Sequence, residues 1–358
     1  MSTLTSATST STTVESAAAQ FTPAGCYLDA ATCGLAPAPV RDALHDAVDR
    51  WAVGSHRLTE YDAAVAASRA AFARIVAVPS AQVAVGSQIS VMVGAVAASL
   101  PDGAQVLVPA EEFSSVTYPF CAQADRGVRV RAVPFAELAD QVRAGTDLVA
   151  FSLVQSADGR VADAAAISTA ARAVGARTLV DLTQAVGWLP VDAGQFDLTV
   201  TGAYKWLCAP RGAAFATVRP DGLDLVRPVF AGWYAGADVY GSLYGTAMHL
   251  ADDARRLDVS PAWLAWVGAV PALGLFADLD LDQVRRHDVA LADDLRAALG
   301  LAPAGTAIVA LPDPDGAAAA ALAGAGIRAS ARAGGVRLAF HLWNDGDDVA
   351  RVLRTLQG

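Results

Sequence analysis

Between residues 81 and 218, short apolar runs alternate with alanine-rich stretches of helical period. AQVAVGS (81–87) leads into QISVMVGAVAASL (88–100). AQVLVPAEEF (104–113) and TDLVAFSLVQS (146–156) precede DAAAISTAARAVGA (163–176). RTLVDLTQAVG (177–187), FDLTVTGAYKW (196–206) and GAAFATV (212–218) follow. Strands of four to seven apolar residues separated by helices predict an α/β fold with a mainly parallel sheet covered on both faces. Ligands of such sheets gather at the carboxyl ends of the strands.

Near residue 285 the pattern changes. VRRHDVALADDLRAALGL (284–301) is followed by TAIVALP (306–312), GAAAAALAGAG (316–326), VRLAFHLW (336–343) and DDVARVLRTLQ (347–357). This alternation predicts a compact α+β unit. The expected division is a disordered Ser/Thr-rich tail at 1–20, a large domain at 21–284 that includes the N-terminal segment, and a small domain at 285–358. The longest apolar run, PAWLAWVGAVPALGLFA (261–277), carries two prolines and is short for a membrane span, so it predicts a buried helix.

The net charge of −10 argues against duplex nucleic acid or an anionic membrane as partner. Cys26, Cys33, Cys121 and Cys208 are far apart and form no CxxC pair, which suggests neither a metal site nor a disulfide framework. The N-terminus lacks the basic start and apolar core of a signal peptide, so the expected location is the reducing cytoplasm.

Candidate chemistry lies at three predicted strand ends. VAVGSQIS (83–90) reads as strand, glycine turn and helix start. Its backbone N–H groups and the Ser87 and Ser90 hydroxyls suit either a phosphate or a simple helix cap. Asp181 directly follows an apolar run, where a carboxylate either caps a helix or holds a proton on a heteroaromatic nitrogen. Lys205 follows DLTVTGAY and is the only lysine in the chain. Compositional bias explains the absence of others but not this one's place beside Tyr204 and Trp206. Burial there lowers an amine's pKa toward the range in which it attacks carbonyls. Phosphate cradle, pyridinium partner and Schiff-base lysine are together what pyridoxal phosphate requires of a protein.

With these motifs the chain resembles the class V aminotransferase family of fold-type I pyridoxal-phosphate enzymes, toward its kynureninase-like and ergothioneine-pathway C–S lyase-like members. The resemblance runs from YLDAATCGLAP (27–37) to VRLAFHLWNDGDDV (336–349). It implies a seven-stranded-type sheet in the large domain, pyridoxal 5′-phosphate as cofactor and a homodimer with shared active sites. It further implies that Lys205 carries the cofactor as an imine and that Asp181 faces the pyridine nitrogen. Ser87, Gln88, Ile89, Ser90 and Tyr204 would hold the phosphate, and Gln184 in DLTQ would approach the phenolic oxygen. Phe113 would stack on the ring, and its less favoured reading is a core aromatic. Trp233 in AGWYAG and Ser260 in DVSPAW are implied phosphate contacts, the latter lent by the neighbouring subunit. Arg337 in VRLAF is the implied partner of the substrate α-carboxylate. Arg332 is a second choice that also reads as a solvated loop residue.

The sequence departs from the family pattern at two points. Ser156, or Gln155 beside it, stands where an asparagine is usual. No cysteine follows Cys208, so the loop cysteine of desulfurases has no counterpart. The resemblance therefore implies abstraction of the Cα proton from an imine-bound amino acid, with β-elimination by a C–S lyase on a cysteine conjugate foremost. Transamination follows, then racemisation or epimerisation, kynurenine hydrolysis, and a catalytically silent cofactor-binding protein. Desulfuration is disfavoured, and no metal is expected.

Overall fold

The computed structural model describes residues 12–357. Ten strands form two sheets. The larger is built from β1 (Val83–Gly86), β2 (Gln105–Pro109), β3 (Arg129–Val133), β4 (Leu148–Ser152), β5 (Arg177–Asp181), β6 (Leu198–Gly202) and β7 (Ala214–Val218). Its order is β1-β7-β6-β5-β4-β2-β3. β3, β2, β4, β5 and β6 pair in parallel, while β7 runs antiparallel to both β6 and β1. The carboxyl ends of β1, β5 and β6 thus meet the amino end of β7 along one edge. Strands β4 and β6 are buried at every position and β5 at all but Arg177, which is why each reads as an apolar run. The edge strand β3 has only Val133 buried and carries Arg129 and Arg131, so the apolar pattern passes over it.

At the other edge, the backbone of β1 is covered rather than exposed. Asp258 Oδ1 accepts from the Val85 amide at 2.8 Å, and its Oδ2 pairs with Arg69 Nη2 at 2.6 Å. Burial raises the Asp258 pKa to about 6, and Arg69 opposes that shift. The helices Ala38–Ala52 and Leu58–Ile75 pack on the helix Trp263–Ala277, which is buried as its composition implies and bears Pro271 internally. No helix among the described residues is long and apolar enough to cross a membrane.

The smaller sheet has the order β8 (Ile308–Pro312), β10 (Gly335–Ala339), β9 (Ser330–Arg332), all antiparallel. Two of its features differ from the expected division. Cys26 and Leu28 lie in the small unit's core with Leu338 and Val352, and residues 27 and 29 bridge to 328 and 339, so the chain's start completes this unit. The helix Leu281–Ala298 also spans the expected boundary at 284. The tail differs as well. Residues 1–11 lie outside the described residues, but Val14–Ala18 is a helix with Ala17 fully buried. Its threonine and serine make a capping box at Thr13 and Ser16, so a composition that suggests disorder here starts a helix.

Candidate active site

At the shared strand edge lies an open cleft enclosing about 510 Å³. Its floor is small by construction. Gly202 ends β6 and faces Ala214 in register, and a Cβ on Gly202 would come within 3.2 Å of the Tyr204 ring. On one side, Ser87, Gln88, Ile89 and Ser90 make the turn from β1 into the helix Ile89–Ser99. The N-cap Gln88 gives no side-chain bond, so the first-turn amides face the cleft uncapped, as an anion requires.

Lys205 is 7% exposed, and its Nζ lies 5.5 Å from the Phe113 ring centroid and 5.7 Å from that of Tyr204. Burial lowers its pKa from 10.5 to about 8. Asp181 opposes the shift, and Arg337, Arg332 and Arg211 add to it. The lysine's loop is clamped on both sides. The Gly34 amide donates to the Tyr204 carbonyl at 2.9 Å, and any Cβ on Gly34 would collide with the Lys205 carbonyl oxygen. Gly187, at φ 122, leaves no room either, since its Cβ would stand 2.5 Å from the Trp206 carbonyl oxygen. That carbonyl also meets His341 Nε2 at 2.9 Å, and burial drives the His341 pKa down to about 3, so the imidazole is neutral and donates.

Asp181 is buried at the end of β5. Its Oδ1 accepts the Thr183 amide at 2.8 Å, and among the described residues Oδ2 has no donor. Burial raises its pKa, with the Thr183 contacts and Lys205 opposing. A dry carboxylate with a free oxygen and no adjacent guanidinium suits a protonated ring nitrogen rather than a helix cap.

Phe113 is 46% exposed and lies over the lysine, so it is not a core aromatic. Behind it, Glu112 accepts from the Ser152 amide and hydroxyl and from Gln155 Nε2. Gln155 is thereby held against Glu112. The Ser156 hydroxyl accepts from Gln184 Nε2 at 3.0 Å and from Arg337 Nη1 at 3.1 Å. Gln184 also donates to the Ala31 carbonyl, and its Oε1 accepts from Trp206 Nε1 at 2.7 Å. It stands behind the cleft wall rather than lining it.

Arg337 is 2% exposed, and its Nη2 donates to Thr32 Oγ1 at 2.8 Å. Among the described residues its nearest carboxylate oxygen, Asp29 Oδ1, is 3.9 Å away, and its buried Nε has no partner. Burial, reinforced by Arg332, lowers its pKa to about 10. Arg332 is exposed and reaches the same threonine at 3.4 Å. Ser156, Arg332 and Arg337, like Gln184, stand outside the cleft's lining, and two further expected contacts lie away from it within one chain. Trp233 packs on Tyr234 and Tyr240, and Ser260 is exposed beyond β1.

Arg211, Thr183 and Ser115 line the cleft without having been marked in the sequence. Thr183 is the third residue of DLTQ, and its hydroxyl accepts the Gly202 amide at 2.9 Å, tying β5 to β6. Arg211 sits in APRG (209–212) but does not stand out in a chain where arginine is the usual basic residue.

The Aminotransferase class-V family model matches residues 26–331. The chain is 25% identical to an uncharacterized aminotransferase, YcbU, of Bacillus subtilis over 62% of its own length and 60% of the relative's. The match thus spans three-fifths of that protein. It is 30% identical to a kynureninase of Deinococcus radiodurans, over 75% of this chain and 69% of the relative. Among solved structures, the cysteine desulfurase CsdA of Escherichia coli superimposes with a TM-score of 0.81 at 20% identity, covering 95% and 96% of the two chains. A C-DES mutant with glycine covalently linked to its PLP cofactor superimposes at 0.83 and 20%, covering 93% and 96%. At such identities the likeness carries the fold. This chain belongs to the aminotransferase class-V family. It is an enzyme of that family, and its cofactor is pyridoxal 5′-phosphate.

The cleft fits that group: uncapped amides for a phosphate, a floor without side-chain bulk, a free carboxylate oxygen and a desolvated amine. The amine attacks only when unprotonated, so uptake of cofactor by the apoprotein is expected to speed up as pH rises through about 8 and then level off. Stopped-flow absorbance after adding pyridoxal phosphate checks this. An inflection near 10.5 would mean a solvated lysine.

Proposed function

We propose that the protein withdraws the Cα proton of an amino-acid substrate and expels sulfur from Cβ of a cysteine conjugate, as a β-eliminating C–S lyase. With one water consumed, the products are a thiol or sulfenate, pyruvate and ammonia. The observation that carries this reading is the desolvated Lys205 amine, with Asp181 and Arg337 both near enough to move its pKa. Arg337 binds the substrate α-carboxylate through its fork. Lys205 then takes the proton from Cα. Asp181 would hold a proton at the pyridine nitrogen, and Phe113, which lies over the lysine, would shield the bound group from water. When bound, the cofactor supplies an electron sink for the pair freed at Cα.

Support for elimination over desulfuration comes from the β9–β10 hairpin. It turns through Ala333 and Gly334 alone, both at positive φ, with Arg332 paired to Gly335. A turn this tight has no long loop and no cysteine to receive sulfur. Transamination uses the same proton transfer and is the second reading, since one relative is named an aminotransferase. Incubation with cysteine conjugates separates the two. Elimination yields pyruvate and free thiol in equal amounts, whereas transamination yields a keto acid that retains its sulfur.

The working unit is proposed to be a homodimer in the cytoplasm. Phe230, Leu243, Tyr244 and Met248 expose apolar surface in the segment that also holds Trp233, which supports burial against a second copy. The free thiols of Cys33 and Cys121, both exposed, suit a reducing compartment.

Arg337→Lys is expected to weaken amino-acid binding by about 2–3 kcal/mol, because one ammonium cannot replace a two-pronged, charge-assisted contact. Titrating substrate against the cofactor's absorbance measures this. Loss of the cofactor itself would instead make Arg337 a structural residue.

A further inference from the structure

Arg211 lines two hollows. One is the lysine cleft. The other encloses about 850 Å³ and is walled by Trp51, His56, Tyr61 and Trp263, with the first turn of the helix Trp263–Ala277 beside them. The mechanism uses none of these residues. Tyr61 and Trp263 stack at 5.2 Å with their planes 6° apart, and the His56 ring lies 5.9 Å from Tyr61. Trp51 is 60% exposed, so a large apolar face is open to the hollow.

Its polar character has one sign. Among the described residues Arg211 enters no ion pair and lies 5.0 Å over the Tyr204 ring. Among the described residues no acidic side chain lines the hollow. His56 Nδ1 is buried without a partner among the described residues. The uncapped start of the helix Trp263–Ala277 adds positive potential, and its N-cap Ala262 provides no acceptor. Flat aromatic walls favour a flat guest by offset stacking, and an unpaired guanidinium favours a carboxylate. A cationic guest would meet Arg211 with no carboxylate to offset it.

We propose that this hollow is the subsite for the substrate's side chain beyond Cβ, and that it takes a planar aromatic or heteroaromatic group bearing a carboxylate. The inference rests on the reading of the cleft as an amino-acid site and specifies which amino acids it takes. Arg211 lines both hollows, with its guanidinium pairing with the distal carboxylate.

The test uses holoenzyme and three probes: S-ethylcysteine, S-benzylcysteine and S-(4-carboxybenzyl)cysteine. Affinity is read from the change in cofactor absorbance on mixing, cofactor content from alkaline release, and pyruvate separately. The carboxybenzyl conjugate is expected to bind roughly tenfold tighter than the benzyl conjugate, the worth of one charged hydrogen-bonded pair. The benzyl conjugate is expected to bind more tightly than the ethyl one. Arg211→Gln is expected to erase the carboxylate preference with cofactor stoichiometry retained, and Trp263→Leu to erase the preference for benzyl over ethyl. Equal affinities for all three probes, or no binding of any, would overturn the subsite. So would an Arg211→Gln protein that loses its cofactor, because Arg211 would then be a phosphate ligand. So would one that changes oligomeric mass while keeping its probe preferences, because the hollow would then be a contact between copies. Ranked binding without pyruvate sinks the lyase reading alone, and pyruvate without ranked binding sinks the subsite alone.

Discussion

Lys205→Ala is expected to reduce amino-acid turnover by at least 10²–10⁴-fold, the range for removing a positioned base, while leaving a folded protein. No other side chain can hold the cofactor as an imine, because the chain has no second lysine and arginine does not give up its proton. Folding should survive because the amine is buried without a hydrogen-bond partner among the described residues, so the native state bears a desolvation cost that alanine removes. The sign of the pH dependence follows. The native pKa is depressed to about 8 from 10.5, so between these values the unfolded chain binds more protons than the folded one. In that window wild-type apoprotein gains stability from this group as pH rises, and the alanine variant lacks the gain. Steady-state assays and thermal melts of the apoprotein from pH 7 to about 10 measure both effects. Retention of more than a tenth of the turnover would remove Lys205 from the chemistry.

Asp181→Asn should retain cofactor yet cut turnover by roughly 10²-fold or more, the scale of losing one preorganised charge from a dry site. The substitution keeps the side chain's shape and an oxygen for the Thr183 amide, so the turn after β5 should persist. What it removes is the negative charge that holds a proton on the pyridine nitrogen, and an unprotonated ring accepts electrons poorly. Parallel measurements of bound cofactor and of kcat separate the two roles. Activity within a few-fold of wild type would reduce Asp181 to a turn residue.

The parts of the fold legible in the sequence were those whose burial leaves a plain signature. Six of the seven large-sheet strands are apolar runs because the layers cover them on both faces. β3 escapes for the opposite reason, since an exposed edge bearing Arg129 and Arg131 has no apolar run to show. The three-residue β9 is too short to leave a pattern. The joining of Cys26 and Leu28 to the C-terminal unit is a contact across about 300 residues that local periodicity does not encode. At the site, Ser87, Asp181 and Lys205 were legible because chain order places each at a strand's end, where the sheet rule gathers ligands. Arg211 was not, because its importance lies in lacking a partner, and only coordinates reveal that. Trp233 and Ser260 came from family likeness, and a single chain does not bring them to the cleft.

Borohydride reduction of the native holoenzyme, followed by peptide mass mapping, addresses the central assignment most directly. Reduction converts a lysine–cofactor imine into a stable secondary amine and leaves a phosphopyridoxyl mass on one peptide. The expected result is a single modified peptide containing TGAYKWLCAPR, with the mass on Lys205. With no other lysine in the chain, the only other amine is the N-terminus. A label there, or an unlabelled Lys205 in protein that holds its full complement of cofactor, would contradict the account.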